Sequence, residues 1–239
     1  MNQVLSGKKV IVLGGTSGLG LATAQAAAQE GALVTVVSGN PTRVSSALET
    51  LPAGSEGYAL DLSRESNIAE FFKATGPFDH LVYTAAENLE LRLIQDTDLP
   101  KARDFFTLRY WGALSAVKYA APHIRPGGSI GLMGGIASPR PGKGWALAAS
   151  ICGAMEGLTR ALAVELAPLR VNLVSAGVIK TPLWSGMPER ERFYAETAAK
   201  LLLGRVGEPE DIARSFVYLM GQTFATGQVL MVDGGAVLV

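Results

Sequence analysis

Residues 9–13, Lys-Val-Ile-Val-Leu, run directly into Gly14-Gly15-Thr16-Ser17-Gly18-Leu19-Gly20, and this junction restricts the fold more than any other feature of the chain. A short aliphatic run without polar alternation predicts a strand buried on both faces, the signature of a parallel sheet. The glycines predict a sharp turn, and the alanine-rich residues 19–30 predict a helix stopped by Gly31. The same rhythm continues. Further strands are predicted at 33–37, 56–59, 81–83, 129–133, 171–175 and 229–232, each with a helical segment before the next. Right-handed crossovers then give a doubly wound α/β fold. At 239 residues and 25.0 kDa the chain is long for one domain and short for two, so residues 1–239 are expected to form a single unit.

Composition narrows the partners. Hydrophobic residues make up 48% and the formal net charge is zero, so nothing electrostatic favours nucleic acid or an anionic membrane, and a small molecule fits better. The first apolar run is too short for a signal peptide, and no stretch approaches the roughly 18 apolar residues of a membrane span. A cytoplasmic protein is expected. Cys152, the single cysteine, and the two histidines, His80 and His123, have no metal-ligand spacing, so no metal is expected. Residues 181–192, broken by Pro182, Gly186 and Pro188, form the loosest stretch and suggest a substrate lid.

Gly14, Gly18 and Gly20 form a G-x-x-x-G-x-G pattern between strand and helix. Glycines there let a pyrophosphate approach the backbone, and the helix start supplies free N–H groups and a positive dipole end. Gly14, Thr16, Ser17, Gly18, Leu19 and Gly20 are therefore candidate cofactor-binding residues. An acid at the end of the second strand would bind the ribose hydroxyls of NAD and repel a 2′-phosphate. Here the strand runs into Ser38-Gly39-Asn40-Pro41-Thr42-Arg43 without an acid, which favours NADP(H) over NAD(H), with Ser38, Asn40 and Arg43 around the phosphate. Arg43 as plain solvated helix surface is the competing reading.

The glycine loop resembles that of the short-chain dehydrogenase/reductase family, and the resemblance extends along essentially the whole chain. Asp61-Leu62 is similar to the pair that flanks the adenine ring, and Thr181 in Gly177-Val178-Ile179-Lys180-Thr181-Pro182 to the residue that holds the nicotinamide carboxamide. Residues 204–213 and 226–235 resemble the family's last helix and strand. The resemblance implies a seven-stranded parallel sheet with helices on both faces, a homodimer or homotetramer, and a cofactor wall that includes Thr84, Ala85 and Ile179.

The family's catalytic set is Asn, Ser, Tyr and Lys, and none stands at its position here. Residues 148–160 match the helix that carries Tyr and Lys, placing Ala148 and Cys152 at those positions. Gly135 falls at the Ser position, with Ser138 off register, and Arg109 at the Asn position. The family's Asn-Asn-Ala-Gly reads Tyr83-Thr84-Ala85-Ala86. Arg109 is the candidate catalytic substitute, since a guanidinium can polarise an oxyanion or hold a carboxylate; an ion pair with Glu87 that merely fixes the helix is the alternative. Tyr83, Tyr110 and Glu87 are further candidate proton donors, each equally readable as packing. Two functions follow: an atypical NADP(H)-dependent oxidoreductase reducing a carbonyl-type small molecule with a rearranged site, or a catalytically silent NADP(H) sensor. A third is an enzyme whose bound cofactor serves another reaction. Residues 89–99 and 183–194 are expected to line an apolar substrate cleft.

Overall fold

The computed structural model describes residues 3–89 and 91–239. Seven strands form one parallel sheet: β1 (Lys9–Leu13), β2 (Leu33–Ser38), β3 (Glu56–Ala59), β4 (Phe78–Tyr83), β5 (Ile124–Gly135), β6 (Arg170–Ala176) and β7 (Val229–Val232), in the order β3-β2-β1-β4-β5-β6-β7. Helices α1 (Gly18–Gln29), α2 (Pro41–Thr50), α3 (Glu65–Ala74), α4 (Leu99–Phe106), α5 (Ala113–Ala120), α6 (Ala146–Glu165), α7 (Arg190–Ala198) and α8 (Pro209–Gly221) lie between them.

Strand periodicity sorts the core into two layers. Ile11, Leu13, Leu81 and Tyr83 point to one face and pack with Phe72 of α3, Val117 of α5 and Met155 of α6. Val10, Val12, Val36 and Val82 point to the other, against Ala24 of α1 and Phe216 of α8. Alanine along α1 lets that helix lie close to the sheet.

β4 begins three residues earlier than its sequence suggests, because Asp79 and His80 are buried polar residues with partners. Asp79 accepts from the Lys9 backbone at 2.9 Å, Lys8 at 3.3 Å and Arg125 at 2.8 Å, while His80 Nδ1 lies 2.9 Å from Ser129 Oγ. β5 likewise extends beyond the expected 129–133, its polar start paired to β4 through a register shift between Phe78 and His80. Arg170 opens β6 buried and caps the end of α8, donating to the carbonyls of Leu219, Met220 and Gln222 at 2.7–2.9 Å.

β2 and β3 lie on one side of β1, and β4 to β7 on the other. Such a reversal leaves a crevice beyond the carboxyl ends of the strands. Gly14, Ser38, Asp61, Thr84, Gly135 and Gly177 all stand at or just beyond strand ends, and that is where the site lies.

Candidate functional site

A cleft of about 670 Å³ runs across these strand ends, and every residue assigned above to cofactor binding lines it, as do Arg109, Glu87 and Tyr83. Its nucleotide end is built from close backbone approaches. Gly14 has φ +87°, and a Cβ there would stand 2.5 Å from the Ala85 nitrogen. A Cβ on Gly20 would overlap the Gly14 carbonyl, so the helix start can reach the loop only without a side chain. Ser17 precedes α1 without capping it, leaving the first N–H groups of the helix open to the cleft. At the end of β2, Asn40 Oδ1 accepts from the Arg43 backbone at 3.1 Å and starts α2. This sets Arg43 in the first turn, and among the described residues its guanidinium makes no ion pair. Asp61 is turned onto its own loop, accepting from Ser63 N at 3.0 Å and Ser63 Oγ at 2.6 Å; these bonds hold its carboxyl below the usual range.

The reactive end is arranged differently. Between α4 and α5 the chain widens into a π-helical turn, Thr107–Gly112. Such turns recur at functional sites. Tyr83 at the end of β4 donates to the Leu108 carbonyl at 2.6 Å, and Gly112 leaves room for its ring because a Cβ there would overlap the hydroxyl. Burial pushes the Tyr83 phenol far above its ordinary range, so it stays protonated with its hydroxyl engaged on the Leu108 carbonyl. Glu87 Oε1 accepts from Leu108 N at 3.0 Å, and Arg109 Nη2 donates to the Glu87 carbonyl. Arg109 Nε lies 3.5 Å from Glu87 Oε2 without a hydrogen bond, and both atoms are buried. The guanidinium sits over the Phe105 ring, 4.7 Å from its centroid. The ion pair foreseen between Arg109 and Glu87 is therefore present. Burial pushes the Glu87 carboxyl up and the Arg109 guanidinium down, each opposed by the other's charge.

Gly135, Ala148 and Cys152 stand together on the opposite wall, where a Cβ on Gly135 would meet Cys152 Sγ at 3.4 Å. Burial raises the Cys152 thiol, against the pull of the Gly135 backbone and Arg109. Ser138 is directed at Gly153 and does not line the cleft. Tyr110 does not reach it either; it packs on the core and against Trp111.

The flanking loops correct two expectations. Of residues 89–99 only Leu89 lines the cleft among those described, and Glu90 lies outside the described residues. The supposed lid is not loose: Pro182–Trp184 form a 3-10 turn, Trp184 is buried with its indole N–H on the Ile179 carbonyl at 3.0 Å, and Phe193 stacks behind it at 4.9 Å. Leu183, Trp184 and Ser185 face the cleft, while Met187 and Phe193 support them. Phe105, Ile136 and Trp145 also line it, unforeseen because nothing local in their stretches marks them as cleft-facing.

A doubly wound sheet with a glycine-lined crevice at its switch point defines a Rossmann-type dinucleotide fold. The model of the enoyl-(acyl carrier protein) reductase family matches residues 14–237, and the chain belongs to the short-chain dehydrogenase/reductase family, a family of oxidoreductases. It is 36% identical to the short-chain dehydrogenase/reductase ATR9 of Stachybotrys chlorohalonatus, covering 98% of both chains. It is 32% identical to malC of Malbranchea aurantiaca over 99% of this chain and 97% of that one. Among solved structures it resembles a small-chain dehydrogenase in complex with NADPH (35% identity, TM-score 0.87, 98% and 100% covered). It also resembles the MalC reductase/Diels-Alderase (30% identity, TM-score 0.91, 100% and 99% covered).

Proposed function

We propose that the chain is a single-domain, NADP(H)-dependent oxidoreductase that reduces a carbonyl-type small molecule with a rearranged active site. The observation that carries this reading is the nucleotide end of the cleft: Gly14 and Gly20 leave a cradle that any side chain would fill, and Arg43 stands unpaired at a strand end that has no acid. These residues fit a dinucleotide 2′-phosphate. Gly14 to Gly20 would hold the pyrophosphate, Ser38, Asn40 and Arg43 the 2′-phosphate, Asp61 and Leu62 the adenine side, and Thr84, Ala85, Ile179 and Thr181 the nicotinamide side. The cofactor, when bound, supplies a hydride. Arg109 then offers positive charge where a carbonyl oxygen gains electron density, a role worth about 10²–10³-fold in rate for comparable donors.

The NADPH complex of a structurally similar small-chain dehydrogenase supports the cofactor assignment. The exposed flank of α6, with Val164 82% exposed, and Trp111 near the same side support assembly as a homodimer or homotetramer. Titration calorimetry with NADPH and NADH, followed by cofactor oxidation with aldehydes, ketones and quinones, tests the reading. It expects tight NADPH binding and turnover abolished in Arg109→Ala; turnover unchanged in that variant removes Arg109 from catalysis, and binding of neither cofactor removes the function.

The immobilised Tyr83, with Ala148 and Cys152 at the proton-donor positions, favours a second reading, a sensor that binds NADP(H) without turnover. Tight binding without oxidation across the panel would support it. The name of the Malbranchea relative joins a reductase to a Diels-Alderase, and a cycloaddition moves no proton, so a site without a donor also suits a reaction in which the cofactor is a fixed wall.

A further inference from the structure

The reactive end of the cleft is walled mainly by Leu89, Phe105, Leu108, Ile136, Trp145 and Trp184. Arg109 and Glu87 are the only charged side chains there among the described residues, since Arg43 and Asp61 belong to the nucleotide end. A guanidinium has five N–H donors. Among the described residues that of Arg109 reaches one hydrogen-bond acceptor, the Glu87 carbonyl, and its Nε has none although it is buried. Phe105 covers one face of the group without satisfying any N–H. The Glu87 carboxylate accepts from Leu108 N through Oε1 and is also drawn toward its own backbone N–H, while Oε2 is buried without a hydrogen-bond partner among the described residues. The pair is thus in contact but poorly bonded. Arginine cannot give up its charge at any ordinary pH, whereas a carboxylate can.

We propose that the aromatic and aliphatic end of this cleft binds a largely apolar molecule bearing one carboxylate, which Arg109 grips with its unused N–H groups while Glu87 takes up one proton from solvent. This builds on the reading of the cleft as a reductase site and names its substrate class. The balance is simple. A carboxylate enters beside an Arg109 cation and a Glu87 anion, one proton joins Glu87, and the buried group ends as one cation, one anion and one neutral acid. Without that proton two carboxylates would share one guanidinium in a partly buried pocket, at a desolvation cost. The titratable groups around Glu87 are Arg109 from the π-helical turn and Tyr83 from β4, with Cys152 of α6 facing Arg109. Tyr83 stays neutral because burial raises it, and burial raises Cys152 too, so Glu87 is the group able to take the proton. Its upward shift makes this easier as pH falls.

The test uses the full chain with saturating NADP⁺ and two probes of equal shape, 2-naphthoate and its neutral amide 2-naphthamide, titrated by calorimetry between pH 5.5 and 8 in buffers of differing ionisation heat. Naphthoate should bind about 10-fold more tightly than naphthamide at the acid end, as suits a charge-assisted bidentate contact. The preference should shrink as pH rises, and the heats should report proton uptake. Arg109→Gln should erase the preference and leave naphthamide affinity as it was. Glu87→Gln should keep the preference but flatten its pH dependence and abolish the proton uptake. Equal affinity for the two probes, binding of neither, a preference that survives in Arg109→Gln, or an unchanged pH dependence in Glu87→Gln overturns the proposal. NADP⁺ binding is measured in the same samples: cofactor bound without the preference sinks this inference alone, and cofactor not bound sinks the functional reading, leaving the probes to judge the anion site.

Discussion

Two arginines, one buried and one partly buried, serve opposite ends of the sheet. Arg170, 7% exposed, spreads four hydrogen bonds over the carbonyls of Leu219, Met220, Gln222 and Gly127, filling the acceptor end of a helix with positive charge. Arg109, its side chain 18% exposed, donates one hydrogen bond and has an imperfect ion pair among the described residues. A buried cation whose terminal nitrogens are both spent on backbone carbonyls is part of the framework. One with donors to spare, in a cleft, is built for something that arrives later.

If that distinction is sound, Arg170→Met should lower the unfolding free energy by about 3–5 kcal/mol, because the helix-end carbonyls lose their partner inside the protein. Urea denaturation measures this, and a loss below about 1 kcal/mol would erase the contrast with Arg109. NADPH affinity should not change.

His80 gives a third case, a buried group that surrenders its charge instead of pairing it. Burial first, then the Arg170 charge, pushes its imidazole down to about 4. The unfolded chain takes up this proton near pH 6.5 and the folded chain does not. Stability therefore falls as pH drops from about 6.5 to 4, by roughly 3 kcal/mol in all, and the contribution is flat below that. In His80→Gln, which keeps a partner for Ser129, urea midpoints measured across this window should slope less steeply; an identical slope would show that His80 is not the group responsible.

At the nucleotide end the same logic applies to an exposed arginine. Arg43→Ala should weaken NADPH binding about 10-fold while NADH binding is little changed, consistent with loss of one charge-assisted contact. Equal weakening of both would place Arg43 outside the 2′-phosphate site. The smallest effect belongs to the cleft arginine: Arg109→Met should change unfolding free energy by no more than about 1 kcal/mol, since Glu87 can be neutralised by a proton once its partner is gone. A loss on the scale expected for Arg170 would make Arg109 structural.

The geometry of the glycine-loop end of the cleft was legible in the sequence because its demands are local. Gly14 needs a positive φ and Gly20 needs no Cβ, and both requirements show as glycine at fixed spacing after an apolar strand. The reactive end depends on residues far apart in the chain. Nothing near Arg109 announces a π-helical turn, which exists because the Tyr83 hydroxyl and the Glu87 carboxylate both hold Leu108 and because Gly112 makes way for the Tyr83 ring. Asp79 and His80 hid the start of β4 for a related reason: their polarity is answered by Lys8, Lys9, Arg125 and Ser129, partners that no window of sequence contains. The apparent lid misled through Pro182, Gly186 and Pro188, whose chain-breaking character says nothing of how firmly Trp184 anchors the segment.

The reversal of strand order between β1 and β4 divides the cleft between two sets of loops, those after β1 to β3 and those after β4 to β6, which meet through the ladder of Val10 to Leu13 with His80 to Tyr83. A scaffold of this kind lets the chemistry of one wall be rewritten while the opposite wall keeps its ligand, so reactivity and cofactor choice can drift as nearly separate traits, and a designer could exchange Gly135, Ala148 and Cys152 without first rebuilding the phosphate loop.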